Sequence, residues 1–202
     1  MEVKLLDHTK LSNAVIAGRT AYQSWHKGGN YSEATDKITE EDEKFLYRLV
    51  KKYKHESIIE QVTVVLSIKG VSRALLQQWS RSRHISQTVM STRYVDGQNF
   101  GLHKTGNEEF DEHIQNYFKN TLEKFGNLSN DIVKYAYPEA VQTELVVQMN
   151  LRELLHLCSL RLSKAAMQEY QELMLLILKT LPKEFMFLFT DFVKTEKGEG
   201  DD

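Results

Sequence analysis

The stretch QQWSRSRHISQTVMSTRY, residues 77–94, contains the side chains best suited to bind a negatively charged ligand. It carries Arg81, Arg83 and Arg93, and it contains no aspartate or glutamate. Arginine suits phosphate groups, because its planar guanidinium donates paired hydrogen bonds and keeps its charge. The stretch therefore predicts either an anion-binding site or a solvated basic face.

The region without acidic residues extends from Gln61 to Val95 and carries five formal positive charges, whereas the whole 202-residue chain has a net charge of −2. Clustered like charges repel one another unless something negative lies nearby. A bound anion and carboxylates from elsewhere in the fold, or from another subunit, both remain open explanations. The negative total argues against a general nucleic-acid binder, and only Trp79 and Tyr94 lie near the arginines as possible stacking rings.

Composition narrows the class of protein. With 41% hydrophobic and 27% charged residues, the chain has a globular composition and is long enough to bury a sizeable core. It has no apolar run of about 18 residues, and its first residues lack the pattern of a signal peptide. Cys158 is the only cysteine, which excludes an internal disulfide and a cysteine-based zinc site. We therefore expect a cytoplasmic protein without a membrane segment, and no histidine spacing indicates a metal site.

A strand and a helix precede the basic stretch. Residues 62–69 alternate between two faces and predict a strand that ends at Gly70. Residues 71–79 have apolar positions at helical spacing, so we expect a helix that runs into the basic stretch. Residues 84–90 are interpreted as a loop and residues 91–95 as a short extended piece.

The rest of the chain is mainly helical in pattern. Thr39 followed by Asp42 predicts an aspartate capping box at the start of a helix. We predict one α+β domain over residues 1–192, helix-rich around a small, mainly antiparallel sheet, and a disordered tail over 193–202. The other predicted elements are strands at 1–7 and 143–150, a polar loop at 26–37, and helices at 11–25, 108–125, 129–137, 151–161 and 163–181.

The arginine spacing resembles a known family signature. Arg81-Ser82-Arg83 is followed by seven residues, then Ser91, and then Arg93-Tyr94. This arrangement resembles that of the flavin-dependent thymidylate synthases, where the triplet is usually Arg-His-Arg. The blocks HESIIEQ (55–61), GVSRALLQQW (70–79) and NLRELLHLCSLR (150–161) are also similar to that family, and the resemblance runs from about Leu5 to Phe187.

The resemblance implies an activity. Enzymes of this family methylate dUMP to dTMP with FAD as cofactor, methylenetetrahydrofolate as one-carbon donor and NADPH as reductant. They are homotetramers in which several subunits contribute to each active site. If this chain is similar, its uncompensated arginines bind the phosphates of a nucleotide and of FAD.

The resemblance also implies roles for individual residues. Arg161 matches the arginine that faces the uracil ring, where a cation stabilises developing negative charge, and it is the candidate catalytic residue. The candidate substrate-binding residues are Gln78, Arg81, Ser91, Thr92, Arg93, Lys134 and Arg161, with Lys134 expected to reach dUMP from a neighbouring subunit. The candidate FAD-binding residues are Ser57, Arg81, Ser82, Arg83, Asn150, Arg152 and His156.

Three positions depart from the family pattern. Ser82 replaces the usual histidine of the triplet, Val89 stands where many members have glutamate, and Lys164 replaces a frequent histidine. Two alternative functions follow from these departures. One is modification of another deoxypyrimidine nucleotide, as in dCMP methylation or hydroxymethylation, and the other is non-catalytic binding of a nucleotide or flavin.

Some of the candidates also have simpler interpretations. His156 could be a hydrogen-bonded histidine of the core, and Arg161 could stabilise the end of its helix. Ser91 has no visible His or Asp partner that would make it a nucleophile. Cys158 lies between leucines and is interpreted as a packing residue.

Overall fold

The computed structural model describes residues 1–27 and 38–193. The strands in these residues form one four-stranded sheet in the order β1-β2-β4-β3. A small antiparallel sheet among many helices confirms the predicted α+β class. The strands are β1 (Glu2–His8), β2 (Thr63–Ser72), β3 (Ile85–Val89) and β4 (Gln142–Asn150).

Helices account for most of the remaining described residues. The α-helices are α1 (Ser12–Tyr22), α2 (Glu40–Tyr47), α3 (Arg73–Trp79), α4 (Glu108–Phe125), α5 (Asn130–Val133), α6 (Leu151–Arg161), α7 (Gln168–Thr180) and α8 (Thr190–Val193). A π-helical turn (Arg48–Lys52) continues α2. Short 3₁₀ segments cover Trp25–Lys27, Glu56–Gln61, Gly97–Asn99, Lys134–Ala136 and Lys183–Leu188.

The predicted capping box is present at the start of α2. Thr39 Oγ1 accepts the backbone N–H of Asp42 at 3.2 Å, and the backbone N–H of Thr39 donates to the Asp42 carboxylate at 3.4 Å. These two bonds satisfy backbone donors that the first turn of a helix leaves without partners. The helix therefore begins where the sequence predicts.

Two boundaries around the basic stretch differ from the prediction. Strand β2 does not end at Gly70 but continues to Ser72, although Gly70 adopts a positive φ of 73° that residues with a Cβ rarely tolerate. Ser72 Oγ then caps α3 by accepting the N–H of Leu75 at 3.0 Å. Helix α3 ends at Trp79, so Arg81 lies in the following turn and not on the helix.

The segment after this turn was also predicted wrongly. Residues 84–90 contain strand β3, which lies at the edge of the sheet, and Met90 N–H donates to the carbonyl of Glu144 in β4 at 2.8 Å. An edge strand with polar residues in its middle has no buried apolar alternation, so it carries a weak sequence signal. Residues 91–95 form a turn and not an extended piece, since the N–H groups of Tyr94 and Val95 both donate to the carbonyl of Ser91 at 3.2 Å.

The chain divides into two compact units. The first comprises residues 1–2, 67–83 and 87–147, and its core includes Phe118 and Tyr137. The second comprises the described residues among 3–66, 84–86 and 148–202. Its fully buried side chains include Leu46, Ile59, Leu66, Leu154, Tyr170 and Phe185.

Some sequence predictions concern residues outside the described ranges. Residues 28–37 of the predicted polar loop and residues 194–202 of the predicted tail belong to this part of the chain, while Val193 is the last residue of α8. The single-domain boundary at residue 192 stays a prediction. In the described ranges, no helix combines the length and the apolar character that crossing a bilayer requires.

Candidate functional site

Charged side chains gather around Asp131 in the first unit, and we call Ser91, Arg93, Asn130, Asp131 and Lys134 the Asp131 cluster. Arg93 Nε lies 2.8 Å from Oδ1 of Asp131, and Arg93 Nη2 donates to Oδ2 at 3.1 Å. Lys134 Nζ donates to Oδ1 at 2.9 Å. The fold thus places two predicted substrate-binding cations against one carboxylate.

Hydrogen bonds attach the turn at Ser91 to helix α5. Asn130 Nδ2 donates to the carbonyl of Arg93 at 3.0 Å and to that of Val95 at 3.4 Å. Ser91 Oγ accepts the N–H of Arg93 at 3.3 Å. Because Asn130 and Asp131 are the first two residues of α5, the start of this helix holds both the backbone and the side chain of Arg93.

The Asp131 cluster has an excess of positive charge. Hydrogen bonds from Lys134 and then from Arg93 hold the pKa of the Asp131 carboxyl below its ordinary value, so this group is ionised at neutral pH. Two cations against one carboxylate leave one positive charge. The Arg93 side chain is 57% exposed, and its pairing with Asp131 uses two of the five N–H groups of a guanidinium. An anion in solution can therefore reach the remaining donors.

Two exposed tyrosines flank this cluster. Tyr94 is 84% exposed and Tyr135 is 87% exposed. The Arg93 guanidinium lies 5.9 Å from the Tyr94 ring centroid, and Lys134 Nζ lies 5.9 Å from the Tyr135 centroid. Thr92, which was also predicted to bind substrate, is partly buried in the same turn.

A second group of predicted residues lines a pocket of about 350 Å³ in the second unit, which we call the Arg152 pocket. Asn150 is the N-cap of α6, and its Oδ1 accepts the N–H of Glu153 at 2.9 Å. Arg152 and His156 follow on this helix at i, i+4 spacing. The pocket is lined by Glu56, Glu60, His84, Asn150, Arg152, Glu153 and His156, so three predicted FAD-binding residues lie together.

Carboxylates dominate the charge of the Arg152 pocket. Arg152 Nη1 donates to Glu60, and Arg152 Nε lies 3.8 Å from Oε2 of Glu56. The hydrogen bond that Arg152 donates to the Glu60 carboxylate is the main reason that the pKa of Arg152 is raised. With one guanidinium facing two carboxylates, the pocket suits neutral donors such as hydroxyl and ring N–H groups better than it suits a phosphate.

Arg161 is the last residue of α6, the helix whose first turn carries Arg152. A cation at this end of a helix interacts favourably with the helix dipole. Its guanidinium carbon lies 4.6 Å from the ring centroid of Tyr170 in α7, and the residue is partly buried. One helix therefore positions a predicted cofactor residue at its start and the predicted catalytic residue at its end.

The other predicted residues lie elsewhere in the two units. In the first, Gln78 is partly buried near the end of α3, and a turn follows in which Arg81 and Arg83 are exposed and Ser82 is partly buried. The N–H of Ser82 donates to the carbonyl of Trp79 at 3.0 Å, which fixes this turn. In the second, Ser57 is exposed in the 3₁₀ segment that also carries Glu56 and Glu60.

The sequence interpretation missed several residues of these sites. Asp131 had a detectable signal, because it precedes Lys134 by three residues on a predicted helix. Glu56 and Glu60 also had a detectable signal, because they are four residues apart in the HESIIEQ block and side chains at this spacing are neighbours on a helix. His84 and Tyr170 had no signal, since their positions depend on how distant segments pack.

A larger cavity, of about 870 Å³, lies in the first unit beside α4 and contains none of the predicted site residues. Its apolar lining includes Phe100, Leu102, Ile114, Phe118 and Leu122. Within residues 1–27 and 38–193, no three His, Cys, Asp or Glu side chains are placed to hold a metal ion.

Residues 4–185 match the family model described as thymidylate synthase complementing protein. The chain is also similar to proteins described as flavin-dependent thymidylate synthases. That of Campylobacter jejuni (strain RM1221) is 36% identical over 207 residues, which cover 94% of this chain and 96% of that protein. That of Pyrococcus furiosus is 31% identical over 198 residues, which cover 91% of this chain and 80% of that protein.

The fold is similar to that of a solved structure. A crystal structure of the flavin-dependent thymidylate synthase ThyX from Helicobacter pylori, complexed with FAD and dUMP, matches with a TM-score of 0.84 and 30% sequence identity. The match covers 95% of this chain and 99% of that one. At this identity and coverage, the likeness concerns the whole fold and not one motif.

Proposed function

The chain belongs to the family of flavin-dependent thymidylate synthases, and we propose on this premise that it methylates dUMP to dTMP with FAD as its cofactor. This membership confirms the family that the Arg81–Tyr94 motif predicts. The chain is therefore an enzyme of the methyltransferase class. Methylenetetrahydrofolate is the proposed one-carbon donor, and NADPH is the proposed reductant.

The charge and geometry of the Asp131 cluster are the main support for a nucleotide substrate. Its excess positive charge, its exposed Arg93 guanidinium and the nearby Ser91 hydroxyl match the needs of a nucleotide phosphate. The sequence interpretation assigns Lys134 to the dUMP of a neighbouring subunit. Because it shares Asp131 with Arg93 of its own chain, we propose instead that it adds a second cation at this phosphate. Gln78, Arg81 and Thr92 are the other proposed nucleotide contacts.

Arg161 is the proposed catalytic residue. Its planar guanidinium can direct several N–H donors at the edge of a pyrimidine and stabilise negative charge that develops there. When bound and reduced by NADPH, the flavin would supply the hydride, and methylenetetrahydrofolate would supply the carbon. The protein's own part is to bind the phosphates, orient the ring and stabilise its charge.

The residues present fit parts of FAD. The Arg152 pocket offers carboxylate acceptors and the Asn150 amide, which suit the hydroxyl groups and ring N–H groups of a flavin nucleotide. Arg81 and Arg83 carry no acidic neighbour in sequence and suit its pyrophosphate. Ser57, Ser82 and His156 are the remaining proposed contacts.

The proposed assembly is a homotetramer with shared active sites in the cytoplasm. Size-exclusion chromatography with light scattering, run with a flavin absorbance scan, tests the assembly. We expect a yellow tetramer. A colourless monomer that FAD does not reconstitute would contradict both the assembly and the cofactor.

The substitutions Ser82 and Val89 motivate a second candidate, in which the nucleotide is dCMP or the product carries a hydroxymethyl group. Mass spectrometry of the products, with dUMP and dCMP offered in parallel with methylenetetrahydrofolate and NADPH, distinguishes the two. We expect dTMP from dUMP and unchanged dCMP. A modified dCMP would favour the second candidate, and bound flavin without any product would indicate a non-catalytic binding protein.

A further inference from the structure

Tyr170 provides an aromatic surface for Arg161 in the second unit. Its side chain is completely buried in the first turn of α7. The distance of 4.6 Å between the Arg161 guanidinium carbon and the ring centroid lies well within the range of a cation–π contact, about 6 Å. The nucleotide-binding residues described above do not include Tyr170.

The connection between α6 and α7 limits how far these two side chains can move apart. The N–H of Leu162 donates to the carbonyl of Cys158 at 3.1 Å, and the N–H of Ala166 donates to that of Ser163 at 3.0 Å. Gln171 Nε2, from the first turn of α7, donates to the carbonyl of Ala166 at 2.8 Å. Residues 162–167 are thus tied to both helices.

We propose that Tyr170 is a positioning residue that holds the Arg161 guanidinium in its catalytic orientation. The inference rests on the proposed function, in which Arg161 polarises the pyrimidine. A cation–π contact uses the charge of the guanidinium and occupies no hydrogen-bond acceptor, so the N–H groups that do not point at the ring stay available for the pyrimidine. A buried ring is also a fixed surface, whereas a solvated arginine samples many rotamers.

The decisive variants separate the ring from its hydroxyl group. Tyr170→Phe keeps the ring, and we expect turnover within about twofold of the wild type. Tyr170→Leu removes the ring, and we expect kcat to fall by about 10- to 100-fold, because a displacement of about 1 Å at a reacting group can cost this much. The KM for dUMP should change by less than about threefold, since the phosphate contacts are retained.

Two measurements other than turnover distinguish positioning from a general structural role. Anaerobic reduction of the flavin by NADPH should proceed at the wild-type rate in Tyr170→Leu, because Arg161 is not required for that step in the proposed function. The Nε–H signal of Arg161 in ¹⁵N-arginine-labelled protein, assigned with Arg161→Lys, should carry a ring-current shift. We expect this shift to persist in Tyr170→Phe and to disappear in Tyr170→Leu.

Phe185→Leu is the matched control. Phe185 is another completely buried aromatic residue of the second unit, and its ring contacts His8 and not Arg161. This variant should lower the thermal stability about as much as Tyr170→Leu without changing kcat. If Tyr170→Leu does not fold, Tyr170→Met is the second variant without a ring, since methionine fills irregular core space well.

The following results would overturn the proposed positioning role of Tyr170 or separate it from the proposed role of Arg161. A wild-type kcat in Tyr170→Leu or Tyr170→Met overturns it, and so does a loss in Tyr170→Phe as large as in the variants without a ring. An equal slowing of flavin reduction and turnover would indicate a structural role only. If Arg161→Lys itself leaves turnover unchanged, the proposed role of Arg161 has failed, and that result is separate from any result at Tyr170.

Discussion

The Asp131 cluster and the Arg152 pocket are both built on an arginine paired with carboxylates, yet their charges are opposite. At Asp131, two cations share one carboxylate. At Arg152, two carboxylates share one guanidinium. The first arrangement has positive charge to offer a ligand, and the second has negative charge.

An arginine in a binding motif therefore does not define a phosphate site by itself. The balance of charges within a few ångströms decides which ligand group is favoured, because each nearby carboxylate cancels the attraction that the guanidinium exerts. Arg93 and Arg152 both resemble ligand-binding positions of the family. We expect them to contact chemically different groups.

Arg93→Ala should cause the largest loss of ligand affinity. A charge-assisted hydrogen bond contributes roughly 1.5–3 kcal/mol, so dUMP should bind about 10- to 150-fold more weakly. Deoxyuridine, which lacks the phosphate, should bind with unchanged affinity. Isothermal titration calorimetry with both ligands measures this, and equal losses for the two would show that Arg93 does not contact the phosphate.

Arg152→Ala should weaken the binding of FAD and not that of dUMP, and the loss of affinity should be smaller than the loss that Arg93→Ala causes. FAD should bind about 10-fold more weakly, because one charged donor is lost and the carboxylates of Glu56 and Glu60 lose their partner. The affinity for dUMP should not change. Flavin fluorescence titrations of apoprotein measure the first quantity, and a tenfold loss in dUMP affinity instead would remove the distinction between the two regions.

The pKa of Asp131 tests whether the phosphate of dUMP binds at the Asp131 cluster. We expect dUMP to raise this pKa, because a phosphate dianion disfavours a nearby carboxylate and competes for Lys134 and Arg93. In the free protein the pKa lies below its ordinary value of 3.8, so the stabilising contribution of the pairing is present above pH 3.8 and is lost as the pH falls through the lowered value. NMR titration of the carboxyl carbon measures the shift, and Lys134→Ala, which should raise the pKa without ligand, is the control. A pKa that does not respond to dUMP would place the phosphate elsewhere.

Cys158→Ala should have the smallest effect on binding. Burial raises the pKa of the Cys158 thiol to about 12, so the thiol is neutral and unreactive at neutral pH. The substitution should cost about 1 kcal/mol and lower Tm by about 2–4 °C, with both ligand affinities unchanged. Differential scanning calorimetry measures the stability and Tm, and isothermal titration calorimetry measures the two affinities. A selective loss of FAD affinity would show that the pocket depends on this packing.

The sequence predicted those elements whose signals are local. The capping box at Thr39 and Asp42 follows from two residues three positions apart, and α4 and α6 follow from repeated apolar spacing. Strand β3 had no comparable signal, because its pairing partner β4 lies far along the chain. Its structure comes from tertiary pairing and not from local preference.

The candidate sites were predictable to a similar degree. The family resemblance singled out Arg93 and Arg152 as candidates, since it reports which residue types stand at which positions. It did not report the charge balance around each of them. That balance depends on carboxylates such as Asp131 and Glu60, which the fold brings close from distant parts of the chain.

The strand order has a kinetic consequence for the folding of this chain. Strand β1 ends at His8, its neighbour β2 begins at Thr63, and β4, on the other side of β2, begins at Gln142. Among the four strands of the described residues, no two neighbours are joined by a hairpin, so each pairing must close a long loop before its contacts stabilise anything. High contact order of this kind slows folding, and the chain is therefore expected to acquire its helices well before its sheet.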